Sequence, residues 1–109
     1  MDRDCLLSVL KHTKMLYFVF TVQEGDIVNC RMAATNLETA ENECITAMRA
    51  NRKRCVRIVY SDIDYPVGTR IWIDVKLKRK THDIKILGVY KNEEEVPSHS
   101  DWVEDLVVV

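Results

Sequence analysis

The sequence predicts an α+β domain in which one main helix covers an antiparallel β-sheet of about five strands, in the order (α)ββαβββ. Segments rich in β-branched and aromatic residues, separated by turn residues, predict the strands. One segment with apolar residues at helical spacing predicts the main helix. With 109 residues, 47% hydrophobic and 30% charged, the chain has the size and composition of about one globular domain.

The first two strands form a predicted hairpin. Residues 14–23 are apolar on both faces of a strand, which is typical of a central strand covered on both sides. Glu-Gly-Asp at residues 24–26 provides the turn, and residues 27–34 form the second strand. The apolar side chains of the second strand are expected to share one face: Val28, Cys30, Met32 and Ala34.

Two helices are predicted. Residues 35–38 have the T-x-x-E pattern of a capping box, with Thr35 as the N-cap of the main helix. Asp4 can cap a short amphipathic helix that ends near His12. The main helix continues to about Arg52, because apolar residues recur at helical spacing: Leu37, Ala40, Cys44, Ile45 and Met48.

Three more strands are predicted after the main helix, at residues 54–60, 70–80 and 84–90. The loop at residues 61–69 contains a proline and a glycine, which end the strand pattern. The strand at residues 70–80 alternates most clearly. Its inward side chains are Ile71, Ile73, Val75 and Leu77, and its outward side chains are Trp72, Asp74, Lys76 and Lys78.

The formal net charge of −1 conceals two parts of opposite charge. Residues 1–91 contain all 16 Lys and Arg residues against 11 Asp and Glu residues, a net charge of +5. These residues form the predicted single α+β domain. Residues 92–109 contain six acidic residues and no Lys or Arg, a net charge of −6, and form an acidic C-terminal tail or an edge strand.

The sequence argues against a membrane-spanning protein and against a secreted one. No apolar run reaches the roughly 18 residues of a membrane span. Residues 1–4 carry net negative charge where a secretory signal has a basic region. We therefore expect a cytoplasmic protein that does not contact membranes, with its four cysteines as buried free thiols. No C-x-x-C pair and no histidine beside a cysteine is present, so no metal or other cofactor is predicted.

Nine cations and one tryptophan predict a surface that binds nucleic acid. The cations cluster at the helix end, in the following strand and in the strand at residues 70–80, and could neutralise several phosphates. Trp72 shares a face with Lys76 and Lys78 and could stack on an unpaired base, so RNA or single-stranded DNA is the expected ligand. The same cations could instead stabilise the helix end and protect strand edges. The ten residues are Arg49, Arg52, Lys53, Arg54, Arg57, Trp72, Lys76, Lys78, Arg79 and Lys80.

The acidic tail is a second candidate for binding. Trp102, Val103 and Leu106 lie among acidic residues, a composition typical of linear motifs that dock on a protein partner. The tail could also fold back and mask the basic domain. Alternatively, residues 102–109 pair with a sheet edge as a final strand, which their β-branched end fits equally well.

Together these features predict a small non-enzymatic binding or regulatory protein, with a basic domain that contacts nucleic acid and a tail that engages a protein or masks that domain. The alternative is a protein–protein interaction module, an inhibitor or adaptor of the kind that phages and mobile elements encode as accessory proteins. A homodimer formed through the tail, by strand exchange or edge addition, is a further open alternative.

A minor alternative is enzymatic. Asp64, followed after nine residues by Asp74-Val75-Lys76, resembles the D…(D/E)-x-K arrangement of metal-dependent nucleases. The resemblance implies that the carboxylates hold Mg²⁺ and that Lys76 orients or activates the attacking water, with Glu43 as a further carboxylate. A proline before the first acid is absent, and the motif recurs at residues 83–85. The pattern is therefore weakly specific.

Overall fold

The computed structural model of the chain describes residues 15–24, 26–51, 54–78 and 83–109, apart from the Val28 side chain. The short helix predicted for residues 4–12 lies outside these ranges. Within them, the α+β class and the order of the main helix and the strands are confirmed. The elements are β1 (Leu16–Gln23), β2 (Asp26–Ala34), α1 (Leu37–Ala50), β3 (Cys55–Ser61), β4 (Arg70–Lys78), β5 (Asp83–Tyr90), a 3-10 turn (Glu93–Glu95) and β6 (Trp102–Val107).

The strands form two antiparallel sheets, which corrects the prediction of a single sheet with about five strands. The first sheet has the order β2-β1-β3 and the second has the order β5-β4-β6. β1 is apolar on both faces, and one helix can cover only one face of a sheet. α1 packs on one face of the first sheet, and the second sheet packs on the other. Part of the acidic tail supplies β6, as the edge-strand alternative predicted.

The main core lies between the two sheets, where side chains of β1 meet side chains of β4. These six side chains are buried: Leu16, Phe18, Phe20, Ile71, Ile73 and Val75. The ring of Phe20 also contacts the indole of Trp102, with 5.9 Å between the ring centroids. Burying such side chains contributes roughly 1.5–3 kcal/mol each, so this layer dominates the stability of the fold.

β2 does not present one apolar face, because its pairing with β1 is irregular. The register places Met32 opposite Val19 but Cys30 opposite Phe20, so that Arg31 is an extra residue between the two pairs. Such a bulge reverses the faces of the residues on its two sides. Cys30 therefore faces the second sheet, whereas Met32 packs with Val19 on the helix side. The expectation that Cys30 and Met32 share one face is wrong for this reason.

α1 begins one residue later than the capping box predicted. The side chain of Asn36, rather than Thr35, accepts hydrogen bonds from the backbone N–H groups of Glu38 (2.8 Å) and Thr39 (3.4 Å). Asn is as good an N-cap as Thr, and it leaves Thr35 to bond elsewhere. No helix in the described ranges is long and apolar enough to span a membrane.

The face that α1 buries agrees with the predicted stripe at Ala40 and differs from it at three other positions. Small residues, Ala40 and Ala47, make the buried contact with the first sheet, because they allow a close approach of helix and strands. Three residues of the predicted stripe are exposed instead: Leu37, Ile45 and Met48.

The C-terminus joins the two sheets along one side. Val108 is fully buried and pairs with Ala33 of β2 in a parallel bridge. The N–H of Val109 donates to the carbonyl of Ala33 over 2.8 Å, and the N–H of Thr35 donates to the carbonyl of Val109 over 3.1 Å. The backbone of Val108 still bonds beside β4, because its N–H donates to the carbonyl of Thr69 and its carbonyl accepts from the N–H of Gly68. The C-terminal residues are therefore held by both sheets.

Candidate nucleic-acid interface

The outer face of the second sheet carries the lysines that the sequence placed on one side of β4. Lys76 and Lys78 are exposed, whereas Val75 is buried in the core and Leu77 is half-buried. The described helix packs on the first sheet, so it does not cover this face. The prediction that β4 is apolar inward and polar outward is therefore confirmed for its lysine end.

Lys85 on β5 adds a third lysine to the same face. The register of the two strands pairs Lys76 with Lys85 directly, and both side chains are exposed. Like charges placed directly opposite each other in a sheet are destabilising, by up to about 1 kcal/mol. Lys78 lies opposite Asp83, which partly compensates its charge. A bound anion would relieve the repulsion between Lys76 and Lys85.

Lys85 was missed by the sequence analysis. It alternates with Ile84 and Ile86, which was a sufficient signal for an outward side chain. Its position opposite Lys76 depends on a register shift between Asp74 and Val75, however. The sequence does not specify that shift, so the lysine pair could not be predicted.

Trp72 lies on the same face but is not an open stacking platform. The side chain is half-buried, and the guanidinium carbon of Arg70 lies 5.1 Å from the ring centroid. Arg70 in turn donates to Asp105 of β6, with Nη2 at 2.6 Å and Nε at 3.0 Å from Oδ2. Tyr90 and Asp105 are the residues opposite Trp72 on the two neighbouring strands. The arginine therefore covers the indole, and its guanidinium is itself exposed.

Asp74 separates Trp72 from the lysine end of the face. The residue is only 4% exposed, and its Oδ1 has no hydrogen-bond partner. Gly88 lies opposite it, and the side chain of Tyr90 folds over that glycine. A Cβ atom at position 88 would collide with the Tyr90 ring. The buried carboxyl and the folded tyrosine therefore form a close-packed middle to this face.

The arrangement does not assemble the carboxylates of the nuclease alternative. Asp74 is buried, whereas Asp64 lies exposed in the loop between β3 and β4. Glu43 is bound to Arg31, with Oε1 at 2.9 Å from Nε. Throughout the described ranges, no three His, Cys, Asp or Glu side chains are grouped so that they could hold a metal ion.

Three further predicted cations fall within the described ranges, and they lie on other surfaces. Arg49 is exposed in the last turn of α1, on the helix side of the first sheet. Arg54 is half-buried and its Nε donates to Oε1 of Gln23 over 3.1 Å. Arg57 is exposed on β3, opposite Phe20 of β1. The other four predicted cations lie outside the described residues: Arg52, Lys53, Arg79 and Lys80.

The three tail residues predicted to bind a partner have two different environments. Trp102 and Leu106 pack against the core between the sheets. Val103 points outward and is 41% exposed. The tail also contacts the basic domain through its acids, since Asp105 pairs with Arg70 and Glu104 accepts a hydrogen bond from the backbone N–H of Cys30.

The cysteines of the described ranges are free thiols, as predicted, but only one of them is buried. Burial raises the pKa of the Cys30 thiol far above its ordinary value, so Cys30 stays protonated. Burial also raises the pKa of Cys44 on α1, with the charge of Glu41 adding to the effect. Cys55 is exposed at the start of β3.

Comparison with known proteins returns no match. No protein-family model, no curated protein and no solved structure is similar enough to this chain to be matched with it.

Proposed function

We propose that this chain is a small, non-enzymatic binding protein of the cytoplasm that contacts single-stranded nucleic acid through the outer face of its second sheet. The observation that supports this most is the direct pairing of Lys76 with Lys85 on an exposed face. Two facing ammonium groups repel each other, and a phosphate between them turns that repulsion into attraction on both sides.

The rest of this face suits single-stranded nucleic acid better than a double helix. Trp72 and Tyr90 are adjacent across β4 and β5 and supply aromatic surface. The exposed guanidinium of Arg70 lies above the indole of Trp72, and bases stack on guanidinium planes as well as on aromatic rings. Phosphates would bind beside Lys76, Lys78 and Lys85, and bases would stack beside Arg70 and Trp72.

Binding of this kind is electrostatic and depends on salt. If Lys76, Lys78 and Lys85 each neutralise one phosphate, the logarithm of the binding constant falls with the logarithm of salt concentration with a slope of about −2. The modest number of cations limits affinity, which fits a regulatory protein better than one that coats nucleic acid.

The experiment is a fluorescence titration of the full chain with a short single-stranded oligonucleotide, in DNA and RNA forms, at low and moderate salt. Trp72 and Trp102 are the only tryptophans, and Trp72 lies on the proposed face. A W72F variant assigns the signal. K76E/K85E should weaken binding at least tenfold, whereas K78Q should reduce the magnitude of the salt slope by about 0.7.

The matched control is R49E, which reverses a charge on the helix side of the molecule. This variant should bind like the parent chain, because Arg49 lies on a different layer. Equal losses in R49E and K76E would show only a general effect of net charge and would contradict the proposed face. Absence of any salt-sensitive response in the parent chain would remove nucleic acid as the ligand.

A further inference from the structure

The outer edge of β3 is a regular sheet edge. β3 pairs with β1 without a register shift along its whole length, and no other strand of the described chain pairs with it. β6 also pairs with β4 without a register shift, but it lies against β2, and the residue after it, Val108, is bridged to Ala33 of β2. The other two outer strands are irregular. β2 has two register shifts and takes up Val108, and β5 has a register shift near its middle. A long, regular and unblocked edge is a template for a further strand.

A cleft of about 460 Å³ lies along this edge, between β3 and β5. β3 and β5 belong to different sheets and approach each other here without pairing. The cleft is apolar apart from one lysine and one phenol, and Tyr60 is 64% exposed at its rim. Its lining residues are Ile58, Val59, Tyr60, Ile84, Lys85 and Ile86.

The charge around the cleft is positive, which favours an acidic ligand over a second copy of this chain. Lys85 is the one charged residue of its described lining, and the exposed Arg57 precedes that lining on β3. The whole of β3, with the sequence CVRIVYS, contains no acidic residue. A second copy adding through its own β3, with the two Arg57 residues opposite each other, would place like charges together, so that pairing is disfavoured.

We propose that the cleft between β3 and β5 binds an extended, acidic peptide segment of a protein partner, which adds as a strand to the outer edge of β3. Its backbone would pair with the unpaired N–H and C=O groups of β3. Its apolar side chains, at every second position, would lie beside Ile58 and Tyr60, and its acidic side chains would lie on the other face, beside Arg57 and within reach of Lys85 across the cleft. Three residues of each strand line the cleft, so a segment of roughly five residues would fill it.

The test uses defined peptides with blocked ends and the full chain. The first probe is an alternating Val–Glu hexapeptide, and the second is its Val–Lys counterpart. The third is the Val–Glu peptide with a central proline, which cannot complete the strand pairing. Binding is followed by backbone NMR shifts and by amide exchange. We expect the Val–Glu peptide to bind at least tenfold more tightly than either counterpart, with the shifts and slowed exchange at β3.

Two charge reversals locate the site. R57E should weaken binding of the Val–Glu peptide and strengthen binding of the Val–Lys peptide, whereas R49E should change neither. K76E should leave peptide binding intact although it weakens oligonucleotide binding, so the two proposals fail separately. Equal binding of all three peptides, or shifts outside β3 and β5, would overturn this inference. Concentration-dependent protection of β3 without peptide would instead identify a second copy as the occupant and would also overturn it.

Discussion

The carboxylate of Glu104 on β6 accepts a hydrogen bond from the backbone N–H of Cys30 on β2, with 2.8 Å between Oε2 and the nitrogen. The two residues are 74 positions apart and belong to different sheets. Cys30 lies where the bulge at Arg31 interrupts the pairing of β2 with β1. The side chain of Glu104 thus supplies a hydrogen-bond acceptor at a point where the regular pairing of β2 is interrupted.

Removal of this acceptor should destabilise the fold. We expect E104A to lower the free energy of unfolding by about 1–3 kcal/mol, because it leaves the Cys30 N–H without its partner. E104Q keeps an amide oxygen in the same place and should lose less. Urea denaturation of the three proteins measures both values. The interpretation is wrong if E104A and E104Q are equally stable at neutral pH.

The same carboxyl should make stability depend on pH. Burial raises the pKa of Glu104 above its ordinary value of 4.5, and the charge of Asp105 adds to this, although the Cys30 N–H opposes it. The folded state therefore holds the proton more tightly than the unfolded state. The stabilisation is complete below pH 4.5 and is lost as pH rises through the raised pKa.

The measurement compares the parent chain with E104Q across this pH range. The stability of the parent relative to E104Q should fall from pH 4 toward pH 7, because only the parent titrates at this position. Other carboxyl groups titrate in both proteins and cancel in the difference. A difference that stays constant or rises with pH would contradict the raised pKa.

The C-terminal valines offer a matched pair of positions. Val108 is fully buried between the sheets, whereas its neighbour Val107 is 53% exposed. V108A should lower the free energy of unfolding by about 2 kcal/mol, because it removes buried methyl groups and leaves a cavity. V107A should change stability by less than about 0.5 kcal/mol. Thermal unfolding of both variants measures these values. Equal stabilities of V108A and V107A would show that the C-terminus is not packed into the fold.

The contact of Tyr90 with Gly88 can be tested by a double-mutant cycle. A side chain at position 88 would collide with the Tyr90 ring, so G88A should destabilise the parent chain by about 1 kcal/mol. In a Y90A background the collision is absent, and the same substitution should be neutral or slightly stabilising. A coupling energy below about 0.3 kcal/mol in denaturation would show that the two positions are independent.

The local elements were predicted well because they depend on short stretches of chain. The alternation of β4 and the apolar repeat of α1 are visible in the sequence, and the structure contains both elements at nearly the predicted bounds. The cap was displaced from Thr35 to Asn36, since either side chain can accept from the first turn and the path of the preceding strand selects one. The face that α1 buries was predicted less well, because it depends on the first sheet, which lies beneath the helix.

The candidate site was predicted only in part. Trp72, Lys76 and Lys78 share a face because strand alternation is local. Lys85 joins them through a register shift, and Arg49 and Arg57 do not, because they lie on the first sheet and its helix. Charge along the chain therefore indicated how many cations were available but not which of them would be neighbours.

The sequence by itself determined the type and order of the elements and the inward and outward faces of β4, because these follow from interactions between residues a few positions apart. Only the tertiary structure decided that the strands divide between two sheets, that the tail is a strand, and that the edge of β3 stays unpaired. Both faces of β1 are apolar and must be buried. Contacts between residues far apart in the chain, such as Ala33 with Val108, determine which elements bury them.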